Sequence, residues 1–298
     1  MVGSESPAKG DRQCEWPFVA DFAPGRTLML PQLRLAMINS DAKSRPPLAD
    51  RDGIRTELYD LRFRNLARTP YDHMFTELAT VAAVEAATSA GCDAAYIDSF
   101  GDYGIERARS SVAIPVLGAG EASLAAAAQV SERFSIVTVW PRSMAYLYED
   151  RLAACAGGER CAAVHFVSDE EELDRVGTAS GVKARMLRSE DGLVDLITEH
   201  CLRAVEQDDC GAILLGCTCM APIADRIAAL VPVPVLEPSS IGQEAAFDLL
   251  GEQPSRPPAA SVTSRSGLAT AFIDAYLAAK GVNFEAADEC DVCLVPQQ

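Results

Sequence analysis

The chain has 298 residues, 49% of them hydrophobic and 23% charged, which is enough for one large domain or two lobes of ordinary size. Its formal net charge of −17, from 26 Lys and Arg against 43 Asp and Glu, opposes nucleic-acid backbones and anionic lipid as partners. No stretch approaches the roughly eighteen unbroken apolar residues of a membrane span, and ten cysteines in a chain of this size without an export signal read as reduced thiols.

Residues 1–30 are polar and carry Pro and Gly without the apolar centre of a signal peptide, so they read as a loose arm on a cytoplasmic protein. The first apolar run, Leu33–Asn39, predicts a strand, and Tyr71–Ala90 has helical spacing. Strands follow at Ala94–Asp98 and Val112–Leu117, then a helix over Glu121–Val130 and a strand at Phe134–Val139. A helix over Ser143–Ala154, a strand at Ala162–Val167 and a helix over Gly192–Glu206 come next. The series closes with a strand at Ala212–Gly216, a helix at Ala221–Leu230, a strand at Val233–Leu236 and a helix at Ser240–Leu250. Beyond about Pro254 no role is assigned, and residues 286–298 read as a tail. Strands alternating with helices define an α/β protein with mostly parallel pairing and right-handed crossovers. Ligands in such folds bind beyond the carboxyl ends of the strands.

The chain echoes itself. Gly91-Cys-Asp-Ala-Ala-Tyr-Ile-Asp-Ser99 leads through a helix-like stretch to Ile114-Pro-Val116 and a small-residue helix start. Cys210-Gly-Ala-Ile-Leu-Leu-Gly-Cys217 leads through a helix to Val233-Pro-Val235 and another small-residue start at Ser239-Ser240. The pattern predicts two pseudo-symmetric lobes, residues 31–133 plus 232–285 and residues 134–231, with Ser99 and Cys217 at equivalent strand ends facing one cleft.

Cys217 is the leading chemical candidate. It follows an apolar strand and precedes a helix expected near Pro222, where backbone N–H groups favour a thiolate able to move protons near neutral pH. The bland alternative is an inert core thiol. Ser99 is its counterpart, and the glycines around it let the backbone N–H groups of Phe100 and Gly101 approach a ligand oxygen. A strand-to-helix turn that simply needs Gly and Ser explains the same residues. Asn39, Ser40, Thr138 and Thr218 stand at strand ends, sited to hydrogen-bond a substrate or to cap the next helix. Gly118-Ala-Gly120 resembles half of a dinucleotide fingerprint without its third glycine, and no cofactor is expected. Cys217-x-Cys219 and Cys290-x-x-Cys293 have zinc-compatible spacing, but His73, His165 and His200 lie far from both in sequence, so no metal is expected.

These motifs, with Ile-Pro-Val-Leu-Gly-Ala-Gly-Glu-Ala, Arg133-Phe-Ser-Ile-Val-Thr138 and Leu215-Gly-Cys-Thr218, resemble the aspartate/glutamate/hydantoin racemase superfamily. The hydantoin racemase branch is the best fit, and Ile38-Asn39 resembles the start of a motif whose next two residues are here Ser40 and Asp41. The resemblance implies two α/β lobes, no cofactor, a small-molecule substrate and frequent homo-oligomers. It also implies a cysteine on each face of an acidic carbon. Cys217 matches the second of these cysteines, whereas the first position holds Ser99. The expected activity is a racemase or epimerase acting on a hydantoin or amino-acid derivative, with Trp140 and Tyr103 lining the site. Alternatives are a single-thiol decarboxylase of the arylmalonate type and a non-catalytic ligand-binding descendant. Asp98 offers a carboxylate on the serine side, but strand alternation turns it away from Ser99.

Overall fold

Short strands that are apolar on both faces, with helices between them, bury their surfaces best in parallel sheets covered by those helices. The computed structural model describes residues 32–39, 50–51, 53–63, 66–252 and 267–280. In chain order, the first half carries β1 (Leu33–Asn39), β2 (Ile54–Asp60), α1 (Pro70–Ser89), β3 (Ala94–Ile97), α2 (Ile105–Ser111), β4 (Val116–Gly118) and α3 (Ala119–Val130). The second carries β5 (Phe134–Thr138), α4 (Ala145–Ala154), β6 (Cys161–Phe166), α5 (Glu172–Arg175), α6 (Val182–Leu187), α7 (Asp191–Asp208), β7 (Ala212–Leu215), α8 (Ala224–Ala228) and β8 (Val235–Leu236). Two further helices follow, α9 (Pro238–Glu252) and α10 (Leu268–Lys280).

The strands form two parallel four-stranded sheets, ordered β2-β1-β3-β4 and β6-β5-β7-β8. The sequence echo is therefore an echo of topology, with β3 matching β7 and β4 matching β8. In each sheet the chain reverses its winding between the first and third strands, the place where open α/β sheets leave a crevice. Asn39 and Ser99 stand at that point of the first sheet, Thr138 and Cys217 at that point of the second.

Local chemistry sets the elements. Pro70 opens α1 at a position that needs no N–H, and Thr69 and Asp72 close a reciprocal capping box. The edge strand β2 is absent from the expected elements because Arg55 and Glu57 interrupt its apolar pattern. Its place is fixed by Arg34 of β1, whose guanidinium holds the Glu57 carboxylate through two bonds of 2.8 and 2.6 Å. β4 begins at Val116, later than expected, because Val112 is the C-cap of α2. β8 pairs with β7, so the second sheet runs four residues past the expected hand-over at 232. α9 then returns to the first sheet and buries Ala246, Phe247 and Leu250 against Leu35, Met37 and Tyr96.

The stretch after Pro254, left without a role by the sequence, contains α10. It buries Ala269, Ile273 and Leu277 in the core shared by α1, β1 and β3, and full burial of an Ile or Leu side chain is worth about 1.5–3 kcal/mol. The 1–30 arm, Ser40, residues 286–298 and the Cys290/Cys293 pair lie outside the described residues. Among the described residues, no helix is long and apolar enough to cross a membrane.

Candidate active site

Cys217 leaves β7 in extended conformation and caps a 3₁₀ turn over Thr218–Ile223. The α-helix expected at Ala221–Leu230 is instead this turn, which contains Pro222, followed by the short α8. At this turn the Cys219 N–H donates to Cys217 Sγ at 3.2 Å. Cys217 and Cys219 are joined as a disulfide, their Cα atoms 5.1 Å apart and within the span such a bond bridges. The expectation of reduced thiols is corrected for this pair. The x-residue turn folds the two side chains together, which spacing alone did not reveal. Both cysteines are half-buried.

The loop after β3 carries Ser99, Phe100, Gly101, Asp102 and Tyr103 between that strand and α2. Asp102 sits at φ 44°, in left-handed backbone, with its side chain buried. Its carboxylate accepts the N–H groups of Gly120 and Glu121 at 2.8 and 2.7 Å, the free donors that open α3. The two glycines of Gly118-Ala-Gly120 make that approach possible: a Cβ at either would overlap the Asp102 carboxylate, and at Gly120 also the Phe100 carbonyl oxygen. The half-fingerprint is thus a socket filled by the protein's own carboxylate. Burial pushes the Asp102 carboxyl up to about 7, against the pull of the two N–H donors.

The two halves meet at these strand ends. The Thr218 hydroxyl donates to the Asp98 carbonyl oxygen at 3.2 Å, linking the residue after Cys217 to the residue before Ser99. The Asp98 carboxylate, as alternation predicts, turns into the interior. It accepts from Asn39 Nδ2 at 2.6 Å, Ser239 Oγ at 2.8 Å and the Tyr96 hydroxyl at 3.3 Å. This carboxylate has neutral donors from β1, β3 and α9, the arrangement that makes burial of a charge tolerable.

Thr138 is fully buried, and its hydroxyl lies 2.5 Å from that of Tyr148, which donates onward to the Gly216 carbonyl at 2.8 Å. Burial drives the Tyr148 phenol far above its usual range, so it remains protonated. Phe100 stacks against this ring with centroids 5.4 Å apart. Asn39, Thr138 and Thr218, proposed as substrate contacts from sequence, therefore have their side-chain polar groups engaged in holding the strand ends.

Ser99 and Tyr103 are partly exposed. Gly101 lies beneath the Tyr103 ring, where a Cβ would come within 2.9 Å of Cε1 and Cζ. The other side of Tyr103 meets His73 of α1 edge-on, with centroids 5.0 Å apart. Burial lowers the His73 pKa, favouring a neutral imidazole. Sequence reasoning placed Tyr103 at the site but missed Asp102 and Tyr148. The paired glycines at 118 and 120 were the readable signal for Asp102. Trp140 is buried beside Thr138, to whose hydroxyl its backbone N–H donates at 3.4 Å.

The sequence profile described as Asp/Glu/Hydantoin racemase matches residues 38–246. A hydantoin racemase of Pseudomonas sp. (strain NS671) is 31% identical over 167 residues, covering 56% of this chain and 62% of that protein. The chain aligns with less than two thirds of the length of the curated relatives it matches. Allantoin racemase from Klebsiella pneumoniae superposes with a TM-score of 0.57 at 24% identity, over 76% of this chain and 90% of that one. Allantoin racemase from Pseudomonas fluorescens gives 0.58 at 20% identity, over 76% and 94%. At these identities the two structures bear on the fold alone.

Proposed function

Because the chain belongs to the Asp/Glu/hydantoin racemase family, we propose that it is a cofactor-independent racemase or epimerase of a small carbonyl-activated carbon acid, a 5-substituted hydantoin being the first candidate. The observation that carries this reading is the placement of Cys217 and Ser99 at matching strand ends joined by the Thr218–Asp98 bond. In the reduced protein, the Cys217 thiolate removes the proton from the carbon beside the carbonyl. The electron pair moves onto the carbonyl oxygen as an enolate, which backbone N–H groups of the Phe100–Gly101 turn are suited to receive. Inversion is completed when water on the Ser99 side delivers a proton to the opposite face of the carbon. The hydroxide left behind takes up the proton of the Cys217 thiol.

Enantiopure 5-benzylhydantoin incubated with the reduced protein is expected to lose its circular dichroism signal faster than in buffer. An unchanged rate across 5-alkyl and 5-aryl hydantoins contradicts the reading. A single-thiol decarboxylase is the second reading, favoured by the hydroxyl of Ser99 where a second thiol would stand. It predicts release of carbon dioxide from an arylmalonate and no change in the hydantoin.

Bonded to Cys219, Cys217 has no proton to move, so the acting form is the dithiol. Activity is expected to rise on treatment with a phosphine reductant, which takes both sulfurs to thiols. A Cys219→Ser variant is expected to work without it. Equal activity of the wild type before and after reduction, with the thiols counted by alkylation, contradicts this requirement.

A further inference from the structure

Helix α10 is apolar on its outer side as well as its inner one. The inner side buries Ala269, Ile273 and Leu277, yet Leu268, Phe272 and Tyr276 stand exposed on the outside. Apart from Lys280 at its last position, its one charged residue is Asp274, which is paired with Arg62. A helix that is hydrophobic all round is ordinarily covered all round. The bare surface continues onto α1, where Tyr71 and Met74 are exposed too. A ladder of rings joins the two helices. Tyr71 lies 5.2 Å from Phe75, Phe75 lies 6.1 Å from Phe63, and Phe63 lies 5.7 Å from Tyr276, centroid to centroid. The acidic neighbour on α1, Asp72, is turned to its own cap at Thr69. The five exposed large side chains are between 39% and 69% exposed. Together they offer about 500 Å², at the upper end of what a monomer leaves bare.

We propose that this α1–α10 face is where two copies of the chain pair about a two-fold axis. Shape favours a second copy. Leu268, Phe272 and Tyr276 follow one another four residues apart and form a ridge, and exposed Ala271, Ala275 and Ala279 form a low row beside it. Ridges of one helix seat in the grooves of another, so this surface is complementary to itself, as a two-fold contact requires. Charge favours it as well. A chain of net charge −17 repels its own copy over most of its surface, whereas here the Arg62–Asp274 pair cancels. The size also fits. A standard interface takes about 800 Å² from each partner, and the five large side chains supply most of it before the alanine row and the ring ladder are added. Because one patch serves both copies, the contact closes at two and builds no filament. α10 lies beyond residues 38–246, which match the family profile, and the pairing is independent of the chemistry at Cys217.

Light scattering after gel filtration of the whole chain tests this, with a phosphine present so that no disulfide between copies contributes. The wild type is expected at the mass of two chains. Phe272→Glu, which puts a charge on the ridge, and Ala275→Arg, which fills the low row, are each expected to raise the dissociation constant about thirtyfold or more. Both should then run at the mass of one chain at the same concentration. Circular dichroism of each variant shows that the fold is kept, as expected for substitutions on the exposed side of α10. Leu202→Glu, which charges an exposed leucine of α7 away from this face, is expected to leave the two-chain mass unchanged. A wild type at the mass of one chain overturns the proposal, and that is also the result if another segment of the same chain, such as residues 281–298, covers the face. An assembly that Phe272→Glu and Ala275→Arg leave intact, or that Leu202→Glu breaks equally, overturns it too.

Discussion

Cys217→Ala is expected to lower proton transfer at the substrate carbon by about 10²–10⁴-fold, the usual contribution of a positioned acid–base group. The loss should fall on kcat, because a half-buried thiol contributes little to binding. Cys217→Ser is expected to fail nearly as badly, since an alcohol is almost never ionised near neutral pH. The fold should survive both changes. The elements around the residue are held by the Thr218–Asp98 bond and by the Tyr148 hydroxyl on the Gly216 carbonyl, and neither involves the sulfur. Steady-state racemisation with thermal melting of each variant checks this, and a folded Cys217→Ala protein with wild-type turnover contradicts it.

Gly120→Ala is expected to destabilise the protein by about 1–3 kcal/mol, the range for forcing a methyl group into a filled space. The added Cβ overlaps the Phe100 carbonyl oxygen and meets Asp102 Oδ2 at 2.7 Å, so the backbone of the loop must shift. Activity should fall beyond the stability loss, because the same movement displaces Ser99, Phe100 and Gly101. Asp102 gives the accompanying pH signature. Its folded pKa of about 7 lies above the ordinary 3.8, so the folded state holds this proton more tightly than the unfolded chain. Its contribution to stability is full below about pH 4 and is lost as pH rises through about 7. Asp102→Asn is expected to flatten that part of the stability curve. Denaturant unfolding between pH 4 and 8 measures both effects. A Gly120→Ala protein as stable and active as wild type would show that the socket does not hold the loop.

Much of this arrangement was legible in the chain itself. The echo between Gly91–Ser99 and Cys210–Cys217 foretold two sheets of like order, and it put Ser99 and Cys217 at equivalent ends. Apolar runs marked β1 to the residue. They were silent on β2, where the Arg34–Glu57 pair stabilises a strand whose own pattern is broken by charge. Sequence shows where a strand stops but not what the side chain at its end meets. Thr138 meets Tyr148 ten residues later, and Thr218 meets Asp98 across 120 residues. The Gly118 and Gly120 pair resembles half of a dinucleotide fingerprint, and a helix start welcomes any anion. Here the anion is Asp102, 18 residues before the N–H of Gly120 that it accepts. Nor does spacing reveal that Cys217 and Cys219 fold together.

Proton movement at carbon by Cys217 can be observed directly. Its most direct measurement is the proton NMR signal at C5 of a 5-substituted hydantoin in D₂O with the reduced wild-type protein. Enzyme-dependent loss of that signal is expected, abolished in Cys217→Ala and blocked when iodoacetamide alkylates Cys217. Retention of the C5 proton at the buffer rate across the hydantoin series, or exchange that survives alkylation of Cys217, would contradict it.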